Sequence, residues 1–186
     1  MRIDARHHLL TADQFFGMVE AGILGDDDRV ELLDGELIEV APDGDDHVDV
    51  LGHLNGLLAL AYVPAGYVLR PASTFRAGPR SVPQPDFGVV LASVRGVAEV
   101  EKSVLVVEVS VSSLSKDLRW KASIYARAGA PVYWVVDVVG RRVHVLEDTD
   151  GSRYRRERVV TCTDTLLLPG IGHAIQVRDL FAPLDS

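Results

Sequence analysis

Apolar residues recur along the chain in two rhythms, and each rhythm predicts an element. TADQFFGMVEAG opens on Thr11 with Gln14 three residues later, a capping-box spacing, and closes on Gly22, which predicts a short helix. In RVELLDGELIEV, two apolar stretches flank Asp34-Gly35, the residue pair of a type I′ turn, so a β-hairpin is expected. HVDVLGHLNGLLALAYV sets Val50, Leu54, Leu57 and Leu58 on one helical face and predicts the first long helix, although its two glycines weaken it. YVLRPASTF reads as a strand, AGPRSVPQP as a Pro/Gly loop, and DFGVVLA and VLVVEVS as buried strands. SKDLRWKASIYARAG has helical spacing and stops at Gly129, with Pro131 just beyond. PVYWVVDV and RRVHVLE predict two more strands joined by a tight turn at Val139-Gly140, and RYRRERVV an exposed strand. LLLPGIGHAIQVRDLF adds a short strand and a last turn of helix. Neither a repeat nor a low-complexity linker interrupts this order, so one domain over residues 1–186 is expected.

Composition narrows the class. A chain of 186 residues with 47% hydrophobic content can bury a full core. Its longest apolar runs are strand-sized, and MRIDARHH lacks the apolar centre of a signal peptide, so neither a membrane span nor export is expected. Cys162 permits no internal disulfide, which fits a reducing cytoplasm. The net charge of -8 opposes a nucleic-acid partner at first sight. That acidity is local, however. Residues 1–50 hold 14 acids against Arg2, Arg6 and Arg29, a net of -11, whereas the rest holds 16 bases and 13 acids, a net of +3. GDDDR and PDGDDH carry much of the excess and read as solvated loops.

One strand poses a chemical question. VLVVEVS, residues 104–110, reads as buried on both faces, yet it contains Glu108, whose carboxylate is costly there without a partner. Asp86 opens the preceding apolar strand, and two carboxylates on adjacent strands can supply oxygen ligands to a hard divalent cation such as Mg²⁺. A backbone amide or an arginine for each acid is the equally open alternative. On the helix that follows, at about 100° per residue, Lys121 falls about 40° from Asp117, between Ile124 and Tyr125 on the apolar side. Lys116, Arg119, Ser123 and Arg127 fall on the solvent side. An inward lysine needs an anion and a buried glutamate needs a cation, so each is the natural partner of the other. The chain has three lysines, Lys102, Lys116 and Lys121, against 16 arginines, which makes an inward lysine informative. A compact ammonium can orient a water or stabilise charge developing on a phosphorane. A purely structural Lys-Glu pair, or a lysine snorkelling out along its stem, stays open on these grounds.

The blocks RVELLDGELIEVAPDGDDH, QPDFGVV, VVEVSVSSLSKDLRWKASIYARAGAPVYWVVD and LPGIGHAIQVRDLF, in this order, resemble the PD-(D/E)XK nuclease superfamily and, within it, the Uma2 family of restriction-endonuclease-like proteins. The resemblance implies an α/β fold with a restriction-endonuclease-like core, a mixed central β-sheet flanked by helices, preceded by an N-terminal helix and β-hairpin. It also implies a metal-dependent endonuclease acting on DNA. Asp86 matches the motif aspartate and Glu108 the acid that follows. The short form of the motif has lysine two residues after that acid, where this chain has Ser110; Lys121 resembles the migrated lysine of the family. The implied metal is Mg²⁺, with Mn²⁺ as the alternative, held by Asp86, Glu108 and the carbonyl of Val109. Glu31 and His47 match recurrent family positions; Glu31 reads as a further metal-side, catalytic acid or as a surface glutamate, and His47 as a substrate-side, metal or base residue or as a helix cap or structural hydrogen bond. Ser112 and Tyr125 complete the expected substrate side, with a capping or loop-shaping serine and a core tyrosine whose hydroxyl touches the site as the open alternatives; the family usually has a proline among the serines and this chain has none. A cytoplasmic homodimer follows if both strands of a duplex are cut. Bases after residue 50 predict a positive cleft rim drawn from Arg70, Arg76, Arg80, Arg119 and Arg127. The competing expectations are a catalytically silent nuclease-fold protein that binds protein or nucleic acid, and a metal-dependent hydrolase of a small phosphoester.

Overall fold

A six-stranded sheet forms the centre of the computed structural model, which describes residues 7–25, 27–42 and 44–185. The amino-terminal MRIDAR, and Asp26 and Asp43 of the two acidic runs, lie outside the described residues. Helix α1 (Ala12–Glu20) begins with the predicted capping box, Thr11 and Gln14 each bonding the other's backbone N–H. The hairpin β1 (Val30–Leu33) and β2 (Glu36–Glu39) turns on Asp34 and Gly35, at φ 50° and 91°, as a type I′ turn requires. Helix α2 (Asp45–Tyr62) buries Val50, Leu54, Leu58 and Tyr62, one residue per turn.

The predicted strand YVLRPASTF divides into β3 (Tyr67–Pro71) and β4 (Phe75–Arg76). Ala72, at φ 43°, breaks it between them. Then come β5 (Phe87–Leu91), β6 (Ala98–Glu99) and β7 (Ser103–Ser110). Helix α3 covers residues 114–127, followed by β8 (Val132–Asp137), β9 (Arg142–Thr149) and the exposed β10 (Tyr154–Thr161). A small hairpin, β11 (Thr165–Leu167) and β12 (Ala174–Gln176), leads into α4 (Val177–Leu180). The turn after β8 runs through residues 138–141, and Arg141, not Gly140, takes the positive φ, 46°. Gly140 is required for space instead, because a Cβ there would lie 2.2 Å from Asp137 Oδ2.

Sheet order is β10-β9-β8-β7-β5-β3, with β7 and β8 parallel and every other pair antiparallel. β7 is therefore central, and alternation sends its side chains to two different layers. Leu105, Val107 and Val109 enter a core with α2 and α4. Val106 enters the opposite core with α3, and alternation puts Glu108 and Ser110 on that same face. No helix among the described residues is long and apolar enough to cross a membrane.

Candidate active site

Four segments converge at the carboxyl end of β7. Lys121 Nζ lies 2.9 Å from Oε1 of Glu108 and 2.9 Å from Oε1 of Glu31. These three residues are 4%, 5% and 1% exposed, so the ion cluster is almost wholly buried at the floor of the site. Tyr125, one helical turn beyond Lys121, donates its hydroxyl to the same Glu108 Oε1 at 2.7 Å. Glu31 reaches the cluster from the hairpin, where the Gln84 backbone N–H donates to its Oε1 at 2.7 Å.

Asp86 stands just before β5. Because Phe87 pairs with Val107 in an antiparallel ladder, Asp86 falls at the level of Glu108. Its Oδ2 accepts the Val109 N–H at 2.6 Å and lies 3.4 Å from His47 Nε2. The same register sets Pro85 opposite Val109. A proline has no N–H, so the Val109 carbonyl has no ladder donor from that position.

Charge in the cluster is unbalanced. Burial pushes the Glu108 carboxyl up to about 8 from an ordinary 4.5; Lys121 opposes this, and the charges of Asp86, Glu31 and Asp117 add to it. Burial also pulls the Lys121 ammonium down, but Glu108 and Glu31 together outweigh it and hold its pKa above the usual lysine value. Lys121 therefore stays charged, and the carboxylates outnumber it.

A cleft of about 360 Å³ opens beside these groups, lined by Glu31, His47, Asp86, Glu108, Val109 and Lys121, with Ser112, Ser113, Lys116 and Asp117 on another wall. The donor set fits a hard divalent cation. Glu108 Oε1 and Asp86 Oδ2 are engaged by protein donors, whereas Glu108 Oε2 and Asp86 Oδ1 take no hydrogen bond among the described residues. Glu31 Oε2 is buried with no hydrogen-bond partner. Among the described residues, no three or more His, Cys, Asp or Glu side chains already form a metal cage. Mg²⁺ needs none, since it commonly uses one or two carboxylates and keeps several waters.

Uma2, a family described as putative restriction endonuclease, matches residues 12–179. The chain belongs to the Uma2 family. A crystal structure of a putative nuclease belonging to DUF820, from Anabaena variabilis ATCC 29413, is similar at a TM-score of 0.74 and 14% identity, covering 94% of this chain and 99% of that one. The likeness is one of fold: a mixed sheet flanked by helices, in the restriction-endonuclease-like class. The type IIG restriction endonuclease BpuSI is similar over 74% of this chain and 15% of its own, at 14% identity and a TM-score of 0.43, which carries no argument. No curated protein matches the chain.

Within this Uma2 chain, Asp86, Glu108, Lys121, Glu31, Val109, His47 and Ser112 all lie on the cleft that their sequence pattern pointed to. Tyr125 does not. It is wholly buried behind Glu108, so of its two readings the substrate contact is corrected to a core residue whose hydroxyl donates to the carboxylate. The expected arginine rim is also corrected. Arg70 is bound to the carbonyls of Val94 and Gly96, Arg76 pairs with Asp13 and Glu99, and Arg127 pairs with Asp34. Neither these arginines nor Arg80 and Arg119 line the cleft. Sequence reasoning missed Asp117, which is 2% exposed and accepts the hydroxyls of Ser110 and Ser113. The helical projection that found Lys121 had already set Asp117 on the apolar side, which was the available signal.

Proposed function

We propose that this Uma2 protein is a divalent-metal-dependent endonuclease that hydrolyses phosphodiester bonds of DNA. The observation that carries the reading is the convergence of two half-engaged acids, Asp86 and Glu108, with a buried, carboxylate-paired lysine at one cleft. Asp86, Glu108 and the Val109 carbonyl would hold Mg²⁺ or Mn²⁺. When bound, such an ion polarises a phosphate and lowers the pKa of a water molecule. Glu31 and Glu108 hold the Lys121 ammonium in place and protonated, so that it orients the attacking water or stabilises charge developing on the phosphorus oxygens. Tyr125 fixes Glu108, and the Val109 N–H and His47 fix Asp86, each leaving the other carboxylate oxygen for the cleft.

The test is cleavage of plasmid and labelled duplex DNA with Mg²⁺, Mn²⁺ or EDTA. The wild type cuts only with metal, and Glu108→Gln lowers the rate by at least about 100-fold without unfolding the protein. Cleavage that survives both EDTA and Glu108→Gln overturns the reading, as does a wild type inert on every nucleic acid with either metal. Cutting both strands calls for two centres, so the proposal includes a homodimer, checked by light scattering. The lone Cys162 suits the reducing cytoplasm. One observation favours a silent binding module instead: Lys121 is already paired with two carboxylates and could serve as a structural tie. Metal-independent DNA binding with no cutting would select that module.

A further inference from the structure

Helix α3 is not a uniform α-helix. Its central residues, Asp117–Lys121, form a π-turn, in which the Ala122 N–H donates to the Asp117 carbonyl five residues back. The turn is held from outside the helix. The Asp117 carboxylate takes the hydroxyls of Ser110 and Ser113, and its carbonyl accepts the Tyr133 hydroxyl at 3.2 Å. A π-turn inserts one residue relative to the α-helical repeat and so re-aims whatever precedes it.

Lys116 is the residue re-aimed. In a regular α-helix, five residues separate Lys116 from Lys121 by about 140°, which puts Lys116 in solvent. With one residue absorbed by the π-turn, the two take roughly the relation of an i,i+4 pair, about 40° apart on one face. The structure agrees: Lys116 is half-buried and lines the same cleft as Lys121. Unlike that of Lys121, its side chain makes no ion pair or hydrogen bond with any described residue. Its ammonium is therefore uncommitted, at a cleft where the expected arginines are absent.

We infer that Lys116 is a substrate-binding residue whose ammonium takes a backbone phosphate of the nucleic-acid strand, next to the phosphate under attack. The inference rests on the nuclease reading. It divides two tasks between two lysines on one helix face: Lys121 is locked by carboxylates at the chemistry, and Lys116 is free to meet an incoming anion.

The experiment compares wild type, Lys116→Gln, Lys116→Arg and Arg119→Gln. Arg119 lies exposed on the same helix, away from the cleft, so its variant removes an equal charge from the wrong face. Fluorescence anisotropy with a labelled duplex in EDTA measures affinity across a salt series, and cleavage in Mg²⁺ gives KM and kcat. Lys116→Gln should weaken binding about 5- to 10-fold at low salt and reduce the slope of log K against log salt by about 1. Its KM should rise by more than its kcat falls. Lys116→Arg should restore the slope, and Arg119→Gln should match the wild type. If the wild type binds and cuts while Lys116→Gln keeps its affinity and slope, the Lys116 inference fails and the nuclease reading survives. A Lys116→Gln slope equal to that of Arg119→Gln overturns it in the same way. A wild type that neither binds nor cuts overturns both.

Discussion

The two faces of β7 are buried to nearly the same degree and do opposite things. On one, Leu105, Val107 and Val109 are 0%, 0% and 4% exposed and pack against α2 and α4 with no polar atom to satisfy. On the other, Val106, Glu108 and Ser110 are 0%, 5% and 0% exposed, and the last two depend on Lys121, Tyr125 and Asp117 for partners. Burial of the first face stabilises the fold through loss of contact with water. The second face gains nothing from the same dehydration unless every charge is matched, and one oxygen of Glu31 is not. A strand that could have been apolar on both sides therefore carries its chemistry where the fold can least use it. That contrast sets the second face apart as the one whose burial stabilises the fold least.

The largest expected effect is on the polar face. Lys121→Met leaves Glu31 and Glu108 buried without their cation and should cost about 3 to 5 kcal/mol in urea unfolding at neutral pH. The loss should shrink as pH falls through about 8, where Glu108 takes up a proton. A pH-independent loss below about 1 kcal/mol would mean that the cluster counts no more than a surface pair, and the contrast collapses. Next comes the apolar face: Leu105→Ala should cost about 2 to 4 kcal/mol, equally at pH 5 and pH 8, because the burial it loses is apolar. A pH-dependent loss there would show that the faces are coupled.

The smallest effect sharpens the comparison most. Glu108 has its pKa raised from 4.5 to about 8, so the folded protein holds that proton more tightly than the unfolded chain does. Its contribution is full below the unfolded value and is lost as pH rises through about 8. Wild-type melting temperature should accordingly decline between pH 5 and pH 8, and Glu108→Gln should flatten that decline. Since Glu31 still pairs with Lys121, the substitution does not strand the ammonium, and stability at pH 8 should be level or higher. Mg²⁺ binding, which needs the ionised carboxylate, should tighten with pH over the same interval. Parallel melting profiles for the two proteins would remove Glu108 as the titrating group.

Much of this was legible in local pattern. Thr11 and Gln14 announced α1, Asp34-Gly35 announced the hairpin, and the α3 projection turned Lys121 toward Glu108. These signals depend on neighbours within one helical turn or one loop, which a sequence displays directly. The role of Lys116 was not legible, because the π-turn is imposed by hydroxyls of Ser110 and Ser113 and by Tyr133 on another strand. The arginines misled for the same reason. Counting them gives charge, but Arg127 is committed to Asp34, and that pairing exists only after folding. Tyr125 stood one turn from Lys121 in the pattern, yet which side of Glu108 its hydroxyl would approach depended on the packing of α3 against β7.

The tip of the hairpin ties the ion cluster to contacts distant in the chain. Asp34 accepts the Trp120 indole N–H and the Arg127 guanidinium, contacts that bridge 86 and 93 residues of chain. Closing loops of that length costs conformational entropy, so docking of the hairpin on α3 is expected to follow ordering of the intervening chain, an order that pulse-labelled hydrogen exchange would check. Glu31 travels with the hairpin, and until it docks, Lys121 has one of its two anchors. During synthesis from the ribosome the hairpin emerges first and must wait for the helix. A half-made chain thus carries an unfinished ion cluster, in which the lysine of the helix waits for its second carboxylate.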